Sequence, residues 1–183
     1  MANTSHFPFV KNIILQKNLD EAFEHIVTLL PFTESSTYDQ VAKSAFRKTI
    51  IIYTASVVEA LLFHLLDEKI SSDEIAEYYS HWELQDRTNL HTVSETHIVV
   101  AGQYKKVLGE GRKEKLNLAQ INAILKEKKM LPKTLFDKVE ILKTLRNEQH
   151  ISTHKEVKTY SKNDLEKAFS IASAVKDFVH KNI

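Results

Sequence analysis

The stretch TIIIYTASVVEALLFHLL, Thr49 to Leu66, decides the fold. It holds neither Gly nor Pro, and apolar side chains occupy nearly every angular position that a helix would offer. A helix apolar all round is one that others pack around. Its β-branched run Thr49 to Ile52 also suits a buried strand, but the unbroken length from Tyr38 to Asp67 favours a central helix.

Working outward from that segment, amphipathic helices are expected on both sides. Upstream, Leu15, Leu19, Phe23, Ile26 and Leu30 recur at helical spacing from Asn12 to Leu30, and Pro31 closes the run. Downstream, Ser72 reads as the N-cap of a short helix that ends near His81, with Glu74 and Glu77 in its early turns. Helical spacing resumes at Leu118, Ile121, Ile124 and Leu125 and stops near Leu131; Pro132 then suits the first turn of a helix carrying Leu135, Val139, Leu142 and Leu145. Ser161 with Asp164 three residues on resembles a capping box, and it opens a last helix with a stripe of Leu165, Phe169, Ala172, Val175 and Val179.

Between His81 and Lys115 the helical period fades, and Gly102, Gly109 and Gly111, the chain's three glycines, all fall there. Thr96–Val100 and Gln103–Leu108 are the expected strands of a small hairpin, with an ordered loop as the alternative. The expectation is therefore one all-α domain over residues 1–183, an up-and-down helical bundle of about six helices with an irregular or β-hairpin insertion at 81–115.

Composition agrees with helices: 3 Gly and 3 Pro in 183 residues leave little turn-built β-structure. The absence of Cys excludes disulfides, thiolate zinc sites and a cysteine nucleophile. The opening MANTSHFPFV lacks the basic start and apolar stretch of a secretion signal, and the apolar runs are interrupted short of a membrane span, so the chain reads as soluble and cytoplasmic, without membrane association. The formal net charge of +1 conceals an asymmetry: residues 1–99 carry 7 basic and 14 acidic side chains, and residues 100–183 carry 18 and 10. The basic half suits a phosphate-rich ligand, or it is neutralised by the acidic half within the fold or across a dimer.

The chemistry centres on the penultimate helix. Leu135, Val139, Leu142, Arg146 and His150 fall in one helical band, so an apolar stripe turns polar partway along. An arginine directed toward a core or interface needs a carboxylate, a phosphate or carbonyls to meet it. Glu59, embedded in SVVEALLFHLL, has the same difficulty with opposite sign. Arg146 and His150, four apart, can address one phosphate together, the Arg by paired hydrogen bonds and the His by moving a proton, a pairing that could serve metal-free phosphodiester cleavage. The alternative is that Arg146 simply pairs with Glu59 while His150 caps or packs.

These residues carry a family resemblance. The helix IYTASVVEALLFHLL followed far downstream by ILKTLRNEQHIS resembles the HEPN (higher eukaryotes and prokaryotes nucleotide-binding) domain, a helical fold of RNA-cleaving toxins and defence proteins. Arg146 and Asn147 match its signature Arg-Asn pair; His150 follows Arg146 after three intervening residues and His154 after seven, on either side of the family's usual four to six. The resemblance implies a homodimer whose facing Arg-Asn-His helices form a composite RNA site, with an antitoxin-type protein as a further partner and no cofactor. It implies attack of a ribose 2′-hydroxyl on the adjacent phosphate, with Arg146 binding phosphate, Asn147 orienting it, His150 moving protons and Glu59 holding Arg146. The competing expectation is a non-catalytic module of the same fold in which Arg146 and Glu59 are structural.

Other signals are weaker. His150 and His154 have the spacing of two zinc ligands on a helix, but no third ligand is implied, and no metal is expected. His81, His91 and His97 read as loop or packing residues. Lys105, Lys106, Arg112 and Lys113, beside Tyr104, are candidates to track a nucleic-acid backbone, or the solvated tip of a hairpin. Trp82 with Tyr78 and Tyr79 is expected to anchor the insertion rather than to stack a base.

Overall fold

The structure, a computed structural model, describes residues 5–148 and 158–183. Among these residues it is mostly helical, with six α-helices and one two-stranded antiparallel hairpin. The helices are α1 (Ile13–Leu29), α2 (Gln40–Lys69), α3 (Ser72–Tyr78), α4 (Leu118–Glu127), α5 (Lys133–Asn147) and α6 (Lys162–Asn182). The strands β1 (His81–Ser94) and β2 (His97–Val107) lie between α3 and α4. The chain divides into two compact units, residues 1–69 with 117–183, and residues 70–116.

The first unit is organised by α2, against which α1, α4, α5 and α6 all pack. Ile50, Ala55, Val58, Leu61, Leu62 and Leu66 of α2 have no accessible surface, so the β-branched run that also suited a strand is held helical by packing on several sides. By length and mean hydropathy alone α2 is also capable of crossing a membrane, although 61% of its most apolar window is buried inside the protein. Local signals place the ends. The Asn12 side chain accepts from the Ile14 and Leu15 amides at the start of α1. Asn117 and Gln120 at α4, like Ser161 and Asp164 at α6, form reciprocal capping boxes. Pro132 stands one residue outside α5, as its N-cap, rather than in the first turn. Ahead of α1, Gln16 Nε2 donates to the Phe7 and Val10 carbonyls and fixes a segment whose Phe7 and Val10 are buried.

The second unit corrects two expectations. Ser71, not Ser72, caps α3: its hydroxyl accepts from the Glu74 amide, and the Glu74 carboxylate accepts from the Ser71 amide. The hairpin turns at Glu95–Thr96, so the two expected strands, 96–100 and 103–108, fall almost wholly on the single strand β2, and their partner is β1. Gly102, which falls between the two expected strands, occupies a strand and not a turn. It lies opposite a bulge at Asp86 and Arg87, where the register shifts between the pairs Gln85–Gln103 and Thr88–Ala101. A Cβ there would stand 2.7 Å from the Gln85 carbonyl oxygen, so glycine is required by close approach. Asp86 takes the bulge's left-handed conformation, φ 53°, which aspartate tolerates better than most residues.

Candidate functional site

In the first unit, Arg146 on the last turn of α5 meets Glu59 on α2. Its Nη1 donates to Glu59 Oε2 at 2.8 Å, while Glu59 Oε1 accepts from the amide of Leu118, the first residue of α4, also at 2.8 Å. One carboxylate therefore ties three helices together. It answers an amide that an α-helix leaves without an internal partner, sits at the positive end of the α4 dipole, and balances the guanidinium. The pair is not sealed: 33% of the Arg146 side chain and 25% of the Glu59 side chain are exposed. Asn147 is exposed beside Arg146. The helical band expected to reach His150 is described only to Asn147, with Glu148 as C-cap; His150 and His154 lie outside the described residues.

A second polar node of this unit has no counterpart in the sequence reading. Arg47 of α2 is almost fully buried; its Nη2 donates to the Thr33 carbonyl at 2.8 Å and to Glu34 Oε1 at 3.1 Å, and its Nη1 to the Tyr160 carbonyl at 3.4 Å. The Tyr160 amide donates in turn to Ser44 Oγ. Burial, and secondarily the Asp164 charge, push the Tyr160 phenol above its usual range, and its hydroxyl has no hydrogen-bond partner among the described residues. At Asp164 burial opposes ionisation, but hydrogen bonds from the Ser161 amide and hydroxyl outweigh it and hold the carboxyl below the ordinary aspartate range. Glu140 behaves similarly: burial raises its pKa, while Lys143 and Asn122 bring it below the usual glutamate range. The sequence around Arg47, KSAFRK, looks like a solvated face; only the carbonyls that converge on it mark the position as interior.

In the second unit the expected basic stretch is partly matched by carboxylates, with Glu110 shared between Arg112 and Lys115. Lys105 pairs with Asp86 at 3.4 Å, Lys106 with Glu77, Arg112 with Glu110 at 3.9 Å, and Lys115 with Glu110 at 2.9 Å. Lys115, by hydrogen bond and charge, and then Arg112 lower the pKa of Glu110. Lys113 lies in the short 3₁₀ turn Lys113–Lys115. Tyr78 and Tyr79 meet edge to face with centroids 4.9 Å apart, but Trp82 does not close over them; it is 66% exposed. Because Trp82 pairs with Lys106 and Leu84 with Tyr104, Trp82, Tyr104 and Lys106 share one face of the hairpin. Tyr104 is 68% exposed. Period-two alternation from Trp82 would have exposed this face in the sequence had β1 been recognised as a strand.

Comparison with protein-family models, curated proteins and solved structures finds no match to this chain.

Proposed function

We propose that this chain is a non-catalytic interaction module built on an up-and-down, HEPN-like helical bundle, in which Arg146 and Glu59 are structural. One observation carries the reading: both oxygens of Glu59 are engaged, one by the Arg146 guanidinium and the other by the Leu118 amide. Arg146 thus meets its charge requirement inside its own unit and offers little net positive charge to a phosphate. The pairing of Lys105 with Asp86 and of Lys106 with Glu77 favours the same reading, because electrostatic attraction supplies most sequence-independent nucleic-acid affinity. Its partners would be proteins, a second copy of the chain among them.

A second reading is an RNA-binding protein acting as a metal-independent endoribonuclease of a defence or toxin-antitoxin system, in a homodimer held in check by an antitoxin-type partner. Two observations favour it: the Arg146 guanidinium remains reachable from solvent, and Trp82 and Tyr104 offer aromatic stacking surface on one face of the hairpin. In it Glu59 orients Arg146 for a phosphate, Asn147 assists, and His150, with His154 in support, moves protons.

The two part in a single experiment. The wild-type protein and Arg146→Ala are incubated with total RNA in chelator, and both are melted. The module predicts intact RNA with both proteins and a melting temperature lowered by roughly 2–4 °C in the variant, corresponding to about 1 kcal/mol. Chelator-resistant cleavage that disappears in a variant of unchanged melting temperature would overturn it in favour of the ribonuclease.

A further inference from the structure

Between α1, α2 and α6 the first unit holds a cavity of about 340 Å³ lined by Phe23, Val57 and Phe169, with Phe7 forming another wall. That is within the size range of small-molecule sites. A space of that size admits a chain of about ten heavy atoms. Water gains little there, because the walls are almost entirely hydrocarbon and Thr54 commits its hydroxyl proton to the Ile50 carbonyl at 2.8 Å. The site is also preformed: Phe7 is 2% exposed, and Gln16 fixes its carbonyl at 3.0 Å.

Lys176 of α6 is the one charged residue in the lining, beside the hydroxyls of Thr54 and Ser173, and it holds its ammonium 5.0 Å from the centroid of the Phe7 ring. A cation over an aromatic face is partly stabilised but keeps its hydrogen-bond donors. No carboxylate among the described residues forms an ion pair with it, unlike Lys105, Lys106 and Arg146. An apolar cavity whose wall carries a lysine with no carboxylate partner among the described residues selects an amphiphile of opposite charge. We infer that this cavity binds an apolar monocarboxylate of the medium-chain fatty-acid class, its tail between the phenyl rings and its carboxylate at Lys176. The inference is independent of whether the chain cleaves RNA.

The test is calorimetric titration of the full-length protein with decanoate, decanol and decyltrimethylammonium, each below its micellisation concentration. Saturable binding of one decanoate is expected, with decanol about tenfold weaker and no binding of the cation. Lys176→Met should bring decanoate down to the affinity of decanol and leave decanol unchanged. Equal affinity for all three ligands, no decanoate binding, or unaltered decanoate affinity in Lys176→Met would overturn the assignment. Chemical-shift mapping on the unmutated protein supplies a readout free of folding artefacts: perturbations should concentrate at Phe7, Phe23 and Phe169, and a pattern centred elsewhere would refute the site.

Discussion

Helix α2 and the β1–β2 hairpin are of similar chain length and are built on opposite principles. In α2, 13 of 30 residues are buried; in the two strands none is. Leu90, Val93, Ile98 and Val99 all stand open on the hairpin, where comparable residues of α2 are enclosed. Apolar burial therefore fixes the helix, whereas cross-strand hydrogen bonds, a bulge and a close-packed glycine fix the hairpin's register. An isolated two-stranded hairpin is marginal in water, so its pairing is expected to contribute little to global stability.

That contrast is broken most severely by paired truncations. Leu62→Ala in α2 should cost about 3 kcal/mol of unfolding free energy in urea, because it empties a fully enclosed site, whereas Ile98→Ala on the hairpin should fall within about 0.5 kcal/mol of wild type. Equal costs would show that the hairpin is buried in solution. A smaller effect sharpens the comparison within the helical unit: Arg47→Met should cost about 2 kcal/mol in the same assay, since it removes the donor serving the Thr33 and Tyr160 carbonyls. The smallest effect depends on pH. Asp164 is more acidic in the folded protein than in the unfolded chain, so its contribution is complete above the unfolded-state pKa and is lost as pH falls through the lower folded-state value. Urea titrations across the acidic range should show Asp164→Asn flattening the loss of stability there; an unchanged slope would remove Asp164 from the acid transition.

How much of this was legible in the sequence follows from the range of the forces involved. The end of α1 at Pro31 and the Ser161 capping box depend on residues within one turn of each other, and the central helix shows itself by an unbroken apolar length without Gly or Pro, so each is readable to within a residue or two. The hairpin was found but mispaired, because Gly102 looks like a turn to any local rule, and its function as the partner of a bulge depends on Leu84 and Gln85, far earlier in the chain. The burial of Arg47 is hidden from local rules for the same reason: the carbonyls that receive it come from residues 33 and 160. At the candidate site, matching a buried-looking Glu59 with a buried-looking Arg146 required only that each lacked a partner of opposite sign, and the two do meet. The Leu118 amide as the carboxylate's other partner was invisible, since it is a backbone group that only the arrival of α4 presents.

The most direct test of the claim that Arg146 is committed to Glu59 is a double-mutant cycle. Glu59→Gln, Arg146→Met and the double variant would be unfolded in urea at low and high salt. Glutamine keeps an acceptor for the Leu118 amide, so the cycle isolates the charge pair. The account predicts a favourable coupling of about 1 kcal/mol that shrinks in salt. A coupling of zero, with Arg146→Met as stable as wild type, would contradict it.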